Sequence, residues 1–216
     1  MTGPPPWSIY RHPRLVRLVM AALYRARSAE RLAPVAAAVR GASVLELFAG
    51  QGQLAALHDG PYLGFERSAE LVAAAQASGR NVLQADVLNT ALPDADFVVL
   101  VDGLYQLLPP HHPPETWRQL LRRAQAAARR GVLLVEPVDN LLLPRPLRPI
   151  AAGVVDAGDG PLPRRFTESQ LAELARAEPA LWTKRWRRDR CLCLPPRSPG
   201  RPVQPVDQGS TAFPPN

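Results

Sequence analysis

VLELFAGQGQL, residues Val44 to Leu54, opens as an apolar run, carries one acid inside it at Glu46, and closes on two glycines one residue apart, Gly50 and Gly52. A short apolar run bounded by glycine reads as a buried strand. The glycines allow torsions and a closeness of ligand to backbone that side chains forbid, and N–H groups at a following helix start attract an anion. A carboxyl group inside such a strand is uncommon unless something satisfies it. The stretch therefore predicts a strand, a tight loop and a helix over Gln53 to His58, with a ligand at the loop.

Outward from this stretch the pattern repeats. Apolar runs at Ser43–Phe48, Tyr62–Phe65, Asn81–Gln84, Phe97–Val101 and Val132–Val135 alternate with helical segments at Ser68–Ser78 and Pro114–Arg129. Continuously apolar strands separated by helices predict an α/β fold with a parallel sheet covered on both faces. Thr167–Ala177 has a capping-box start, with Thr167 as cap and Gln170 three residues on. Trp182–Arg188 and Cys191–Leu194 would finish the sheet as two edge strands, with Cys191 and Cys193 on one face and Leu192 and Leu194 on the other. Upstream, Pro13–Arg25 and Ser28 to about Arg40 have helical spacing, and Pro34 predicts a kink or a later start in the second. The expected organisation is a flexible N-terminus over 1–6, a helical cap segment over 7–40, a main domain over 41–194 with a lid-like loop at 140–165, and a Pro-rich tail over 195–216.

The chain has 216 residues, 25 prolines and a net charge of +7. That length suits one domain with tails. The charge raises nucleic acid as a partner, but Lys184 is the only lysine, so the remaining basic residues are arginine and the bias resembles a coding preference. Nucleic acid is therefore kept as a partner but not favoured. No apolar stretch reaches the roughly 20 residues of a membrane span, and Met1–Pro6 lacks a signal-peptide pattern. A cytoplasmic protein with reduced Cys191 and Cys193 is expected. The sequence does not reveal an oligomeric state.

In an open α/β sheet the ligand sits beyond the carboxyl ends of the strands. The second run stops at Glu66, where a carboxylate can accept from two ribose hydroxyls. The third stops at Asp86, suited to an adenine amino group, and the fourth at Asp102 and Gly103. Gly50, Gly52 and Ala55 also satisfy a dinucleotide fingerprint, so NAD enters as an alternative. Glu46 counts against it, because an inward acid repels a pyrophosphate and favours a cationic ligand.

Taken together these residues resemble the class I S-adenosylmethionine-dependent methyltransferases. The family's acid and glycine-rich turn stand here as Glu46, Phe48, Gly50 and Gly52, with Phe48 in place of the first glycine. Its second and third acids match Glu66 and Asp86, FVVLVDGLYQLL resembles its fourth motif and GVLLVEPV its fifth strand. The resemblance spans Ser43 to about Leu194. It implies a Rossmann-like seven-stranded, mostly parallel sheet with helices on both faces and an N-terminal helical addition. It also implies S-adenosyl-L-methionine as cofactor, S-adenosyl-L-homocysteine as product, and no required metal. Phe48 belongs to the cofactor-lining set, Gly50 and Gly52 lie against the methionine part, and Glu46 orients its amino group through the loop or water. Glu66 binds ribose, Asp86 the adenine amino group, the Val87 backbone the ring edge, and Asp102 borders the sulfonium. Residues 7–40 and the 140–165 loop are expected to close over substrate.

The catalytic base stays unassigned among His111, Tyr105 and Glu136, each with a packing or loop role as its rival. The arginines of KRWRRDR, Lys184–Arg190, read as a solvated edge strand before a phosphate site. No Asn/Asp-Pro-Pro-Tyr/Phe stretch follows the fourth strand, which has Asp102, Gly103, Leu104 and Tyr105 instead, and no paired catalytic cysteines occur. Methyl transfer to a small molecule is thus the expectation. RNA methylation and a non-catalytic S-adenosylmethionine-binding module are the alternatives.

Overall fold

The computed structural model describes residue 14 and residues 28–109, 112–138, 166–178, 180–186 and 189–197. The predicted helix at Pro13–Arg25 beyond Arg14, the N-terminus, the predicted lid, His111 and the tail after residue 197 lie outside the described residues. The elements are α1 (Ser28–Ala38), β1 (Val44–Leu47), β2 (Tyr62–Glu66), α2 (Ala69–Gln76), β3 (Val82–Gln84), β4 (Ala95–Val101) and a 3-10 turn (Leu104–Leu107). They continue as α3 (Pro114–Ala127), β5 (Ala128–Pro137), α4 (Glu168–Ala177), β6 (Trp182–Trp186) and β7 (Asp189–Leu194). The strands form one seven-stranded sheet in the order β3-β2-β1-β4-β5-β7-β6. Pairing is parallel from β3 to β5 and antiparallel for β5–β7 and β6–β7.

Strand side chains alternate between two faces, and each face has its own cover. Leu45, Leu47, Val98, Leu100, Val132, Leu134, Leu192 and Leu194 pack with Trp117, Leu120 and Leu121 of α3 and Leu171 and Leu174 of α4. The opposite face, with Val44, Phe97, Val99, Leu133, Val135, Cys191 and Cys193, packs with Val35, Ala36 and Val39 of α1. Burial on both sides is why these runs are continuously apolar. The cysteines lie on one face of β7 as expected. Burial pushes both thiols up to about 12, which leaves them un-ionised near neutral pH.

Helix α3 presents Trp117, Leu120, Leu121 and Ala124 at helical spacing and starts on a proline that needs no N–H partner. Helix α4 has the predicted capping box of Thr167 and Gln170. Phe166, just before it, meets Trp117 edge to face with centroids 5.4 Å apart.

Four expectations change. Gln53–His58 is a run of turns and not a helix. Its backbone bonds span three residues, Gly52 N–H to Ala49 O and Leu57 N–H to Leu54 O, since Gly50 and Gly52 sit at positive φ and Gly60-Pro61 close the segment. The later start that Pro34 offered for the second helix does not occur: α1 begins at Ser28 with Pro34 inside it, and Val35, Ala36 and Val39 pack it against the sheet. β5 begins at Ala128, where the chain turns extended at the end of α3 and pairs with Ala95, so residues 128 and 129 are strand although the expected helix ran to Arg129. β7 is not an edge; it lies between β5 and β6, and its register pairs it with both.

Candidate functional site

From β1 the chain proceeds to β2 and β3 on one side, while β4 and β5 lie on the other. The crevice between reversed directions therefore opens beyond the carboxyl ends of β1 and β4. Phe48 follows β1 and Asp102 follows β4, and both hold a left-handed backbone, with φ of 60° and 54°. Such torsions cost of order 1 kcal/mol each in a residue with a side chain. The Phe48 ring lies on Gly103, where a Cβ would come within 2.3 Å of Phe48 Cδ2. Glycine at 103 is thus required by close approach, and the ring bridges the two strand ends.

The loop after Phe48 is shaped by Gly50 and Gly52, at φ of 55° and 66°. Glu66, at the end of β2, accepts from Gly50 N–H at 2.9 Å through one oxygen and from Ser68 N–H at 2.9 Å through the other. One carboxylate so holds both the glycine loop and the start of α2, where the Ser68 hydroxyl caps Leu71 N–H. Burial pushes the Glu66 carboxyl up, opposed by the hydrogen bonds from Ser68 and Gly50. Beside Gly50, a Cβ would meet nothing within 4 Å, so a ligand can reach the backbone there. Arg80 closes the loop's other side by donating to Gln51 O at 2.6 Å.

Glu46 is 5% exposed, and its partner is the Tyr62 hydroxyl, which donates to it. Its register neighbour on β2 is Gly64, and a Cβ there would lie 2.9 Å from the Tyr62 oxygen. The missing side chain leaves room for the phenol to reach across the sheet. Burial pushes the Glu46 carboxyl up to about 8; the Tyr62 hydrogen bond lowers it and the charge of Glu66 raises it further. Below the ordinary carboxylate pKa of 4.5 both folded and unfolded chains hold the proton, and between 4.5 and about 8 only the folded one does. The stabilisation is full at low pH and is lost as pH rises through about 8. Glu46→Gln, permanently neutral, is expected to remove this loss. The melting temperature of the variant relative to the parent should rise from pH 5 to about 8 and level off above it; a constant difference across that range would show that Glu46 does not titrate there.

At the end of β3, Asp86 accepts from Leu88 N–H at 3.0 Å and from the Asn89 side-chain amide at 2.7 Å, and Val87 is buried. Asp102 is held by Arg31 of α1, whose Nη1 and Nη2 donate to its two oxygens, the latter at 2.7 Å. The same guanidinium grips Asp189 at the start of β7, from Nε at 2.5 Å and Nη2 at 3.0 Å. Because β7 is antiparallel, its start lies at the same edge as the ends of β4 and β5. All three charged groups are buried or nearly so.

Glu136, fully buried on β5, accepts from Gly103 N–H at 3.2 Å and Leu104 N–H at 2.8 Å. It anchors the turn after β4. Tyr105 packs in the core beneath that turn. Of the three candidate bases, then, two have structural employment and His111 lies outside the described residues. The structure brings Glu46, Phe48, Gly50, Gly52 and Glu66 to one loop cluster, with Asp86 and Val87 beyond β3 and Asp102 beyond β4. Among the described residues no group of three or more His, Cys, Asp or Glu side chains is placed to hold a metal ion. No described helix is long and apolar enough to cross a membrane.

Arg31 and Tyr62 were not among the residues expected from sequence. Arg31 meets its partners 71 and 158 positions away, and no local pattern signals such a pair. Tyr62 had one signal, an aromatic alcohol two residues before a glycine in a strand beside the acid-bearing one.

No family model and no curated protein matches the chain. Solved structures do resemble it. One is a DhpI–SAM–HEP complex, at TM-score 0.60 and 19% identity, covering 86% of this chain and 94% of that one. Another is the mitomycin 7-O-methyltransferase MmcR, at TM-score 0.61 and 16% identity, covering 87% of this chain and 59% of the other. A third is human N-acetylserotonin methyltransferase in complex with SAM, at TM-score 0.57 and 17% identity, covering 87% and 57%. The chain thus spans about three fifths of the last two. The architecture is the Rossmann-like fold of class I methyltransferases.

Proposed function

We propose that this chain, with its class I methyltransferase fold, binds S-adenosyl-L-methionine at the loop cluster and transfers its methyl group to a small-molecule acceptor. The observation that carries the reading is the convergence of a glycine loop open at Gly50 with carboxylates at successive strand ends around the switch point. The donor group fits these residues. Glu66 uses one lone pair of each oxygen on backbone N–H groups and keeps others for two ribose hydroxyls. The unfilled space at Gly50 admits the chain of a ligand against the backbone.

The cofactor would supply a methyl carbon already activated by a positive sulfur, so the protein has to align the acceptor in line with it and exclude water. Gly50 and Gly52 would take the methionine portion, Glu66 the ribose, and Asp86 with the Val87 N–H the adenine. Asp102, oriented by Arg31, and Phe48 on Gly103 would border the reacting end. The acceptor–methyl bond would form as the methyl–sulfur bond breaks, with S-adenosyl-L-homocysteine as the leaving group and the acceptor's proton passing to bulk solvent. A small molecule is favoured because the turn after β4 lacks the Pro-Pro-aromatic stretch and both cysteines are buried. Two structural neighbours bear the names of small acceptors, mitomycin and N-acetylserotonin, and the reading extends that class to this chain.

Titration calorimetry with S-adenosyl-L-methionine and S-adenosyl-L-homocysteine tests the reading. Both are expected to bind, and Glu66→Ala is expected to weaken binding about 10- to 100-fold through lost charge-assisted hydrogen bonds. Methyl transfer from labelled donor to a panel of small hydroxyl and amino compounds, with RNA beside them, then assigns the acceptor. Transfer to RNA alone would overturn the small-molecule assignment, binding without any transfer would favour a binding module, and no binding by folded protein would overturn the whole reading.

A further inference from the structure

The turn between β3 and β4 has no secondary structure of its own to hold it, yet it is held at three points by one side chain. Arg123, on α3, donates through Nη1 to Val87 O at 2.9 Å and Leu88 O at 2.8 Å, and through Nη2 to Thr90 O. Helix α3 is itself fixed, with Trp117, Leu120, Leu121 and Ala124 buried in the core. The planar guanidinium carries several donors in a rigid fork, which suits it to gather carbonyls that diverge from one another.

This grip has a directional consequence. In a trans peptide the C=O and N–H groups point opposite ways. Asp86 O is turned into the loop, where it accepts from Asn89 N–H at 3.0 Å and Thr90 N–H at 2.8 Å. The N–H of Val87, in the same peptide unit, therefore points outward. The next peptide has its oxygen on Arg123 and its N–H, that of Leu88, on the Asp86 carboxylate. Arg123 thus takes the carbonyls on the α3 side and leaves donor and carboxylate on the other.

We infer that Arg123 is a positioning residue for base recognition: by collecting the carbonyls of Val87, Leu88 and Thr90 it holds the Val87 N–H and the Asp86 carboxylate in the orientation that reads an adenine edge. This rests on the proposed adenosyl site. It adds that selectivity for the base depends on a side chain of the neighbouring helix that need not touch the ligand.

The test uses the full chain and two probes, S-adenosylhomocysteine and S-inosylhomocysteine, which differ at the purine 6-position where an amino group becomes an oxo group. Wild type is expected to prefer the adenosyl compound by about tenfold or more, the worth of a donor–acceptor reversal. Arg123→Ala is expected to lose most of that preference, and Arg123→Lys, with a point charge and no fork, to fall between. Amide exchange at Val87–Thr90 should quicken in the same order. General loosening of the fold would weaken both probes alike and leave their ratio unmoved. An unchanged ratio in Arg123→Ala, or in Arg123→Lys if the alanine variant does not fold, overturns the inference while the adenosyl site stands. Wild type binding neither probe overturns the site, and wild type binding both equally overturns base recognition by this turn.

Discussion

Arg31→Met is expected to lower the free energy of unfolding by about 3–5 kcal/mol, because it takes the shared guanidinium away from two buried carboxylates. Asp102 and Asp189 receive four hydrogen bonds from Arg31, and all three side chains are largely shielded from water. A single domain is typically stable by about 5–15 kcal/mol, so the loss is a large part of the whole. Urea denaturation measures it. Arg31→Lys should recover only part, since an ammonium cannot fork across two carboxylates. Replacing all three residues together with neutral ones of similar size should recover more than the lysine does, because no buried carboxylate is then left without its guanidinium. A loss in Arg31→Met no larger than that of an exposed pair, about 1 kcal/mol or less, would show that the buried triad contributes little. The same measurement bears on the site, for Arg31 ties α1 to the residue that follows β4 at the mouth of the crevice.

A comparable effect is expected at Gly103, for a different reason. An alanine there would place its Cβ 2.3 Å from Cδ2, 2.6 Å from Cγ and 2.8 Å from Cβ of Phe48. The last of these is close to the backbone, so rotating the ring cannot relieve it. Gly103→Ala should therefore cost about 3 kcal/mol, at the upper end of the range for overpacking. Phe48→Gly removes these three nearest atoms and also the left-handed torsion of a residue with a side chain. In that background Gly103→Ala should be nearly neutral. The coupling energy from the four denaturation curves is the quantity to read, and a value near zero would mean that ring and glycine are independent. Phe48→Gly also restores the glycine that the family resemblance places at this position.

The acids and glycines of the candidate site were legible because each, Glu46 apart, stands where an apolar run ends. A strand buried on both faces can carry a carboxyl group only where the burial stops or where a partner waits. Glu66, Asp86 and Asp102 belong to the first kind and Glu46 to the second. Their partners were not legible. Glu66 answers a backbone N–H in the glycine loop and Asp86 the turn that it begins, while Glu46 depends on a phenol across the sheet, brought into reach by the missing side chain at Gly64. The misplaced helix at Gln53–His58 has a similar origin. Its apolar residues follow two glycines, and left-handed glycine torsions make a chain of turns where composition alone suggests a helix.

The sequence by itself determined the alternation of apolar runs and amphipathic segments, hence a parallel sheet with helices on both faces, and it marked the strand ends where a ligand would bind. Those features follow from periodicity and from the cost of burying charge, which are local. Only the tertiary structure decided that β7 lies inside the sheet, that Phe48 closes on Gly103, and that Arg31 and Arg123 hold Asp102 and the turn after β3. These are contacts between segments far apart along the chain. Their energies depend on distances of a few ångströms that no local pattern encodes.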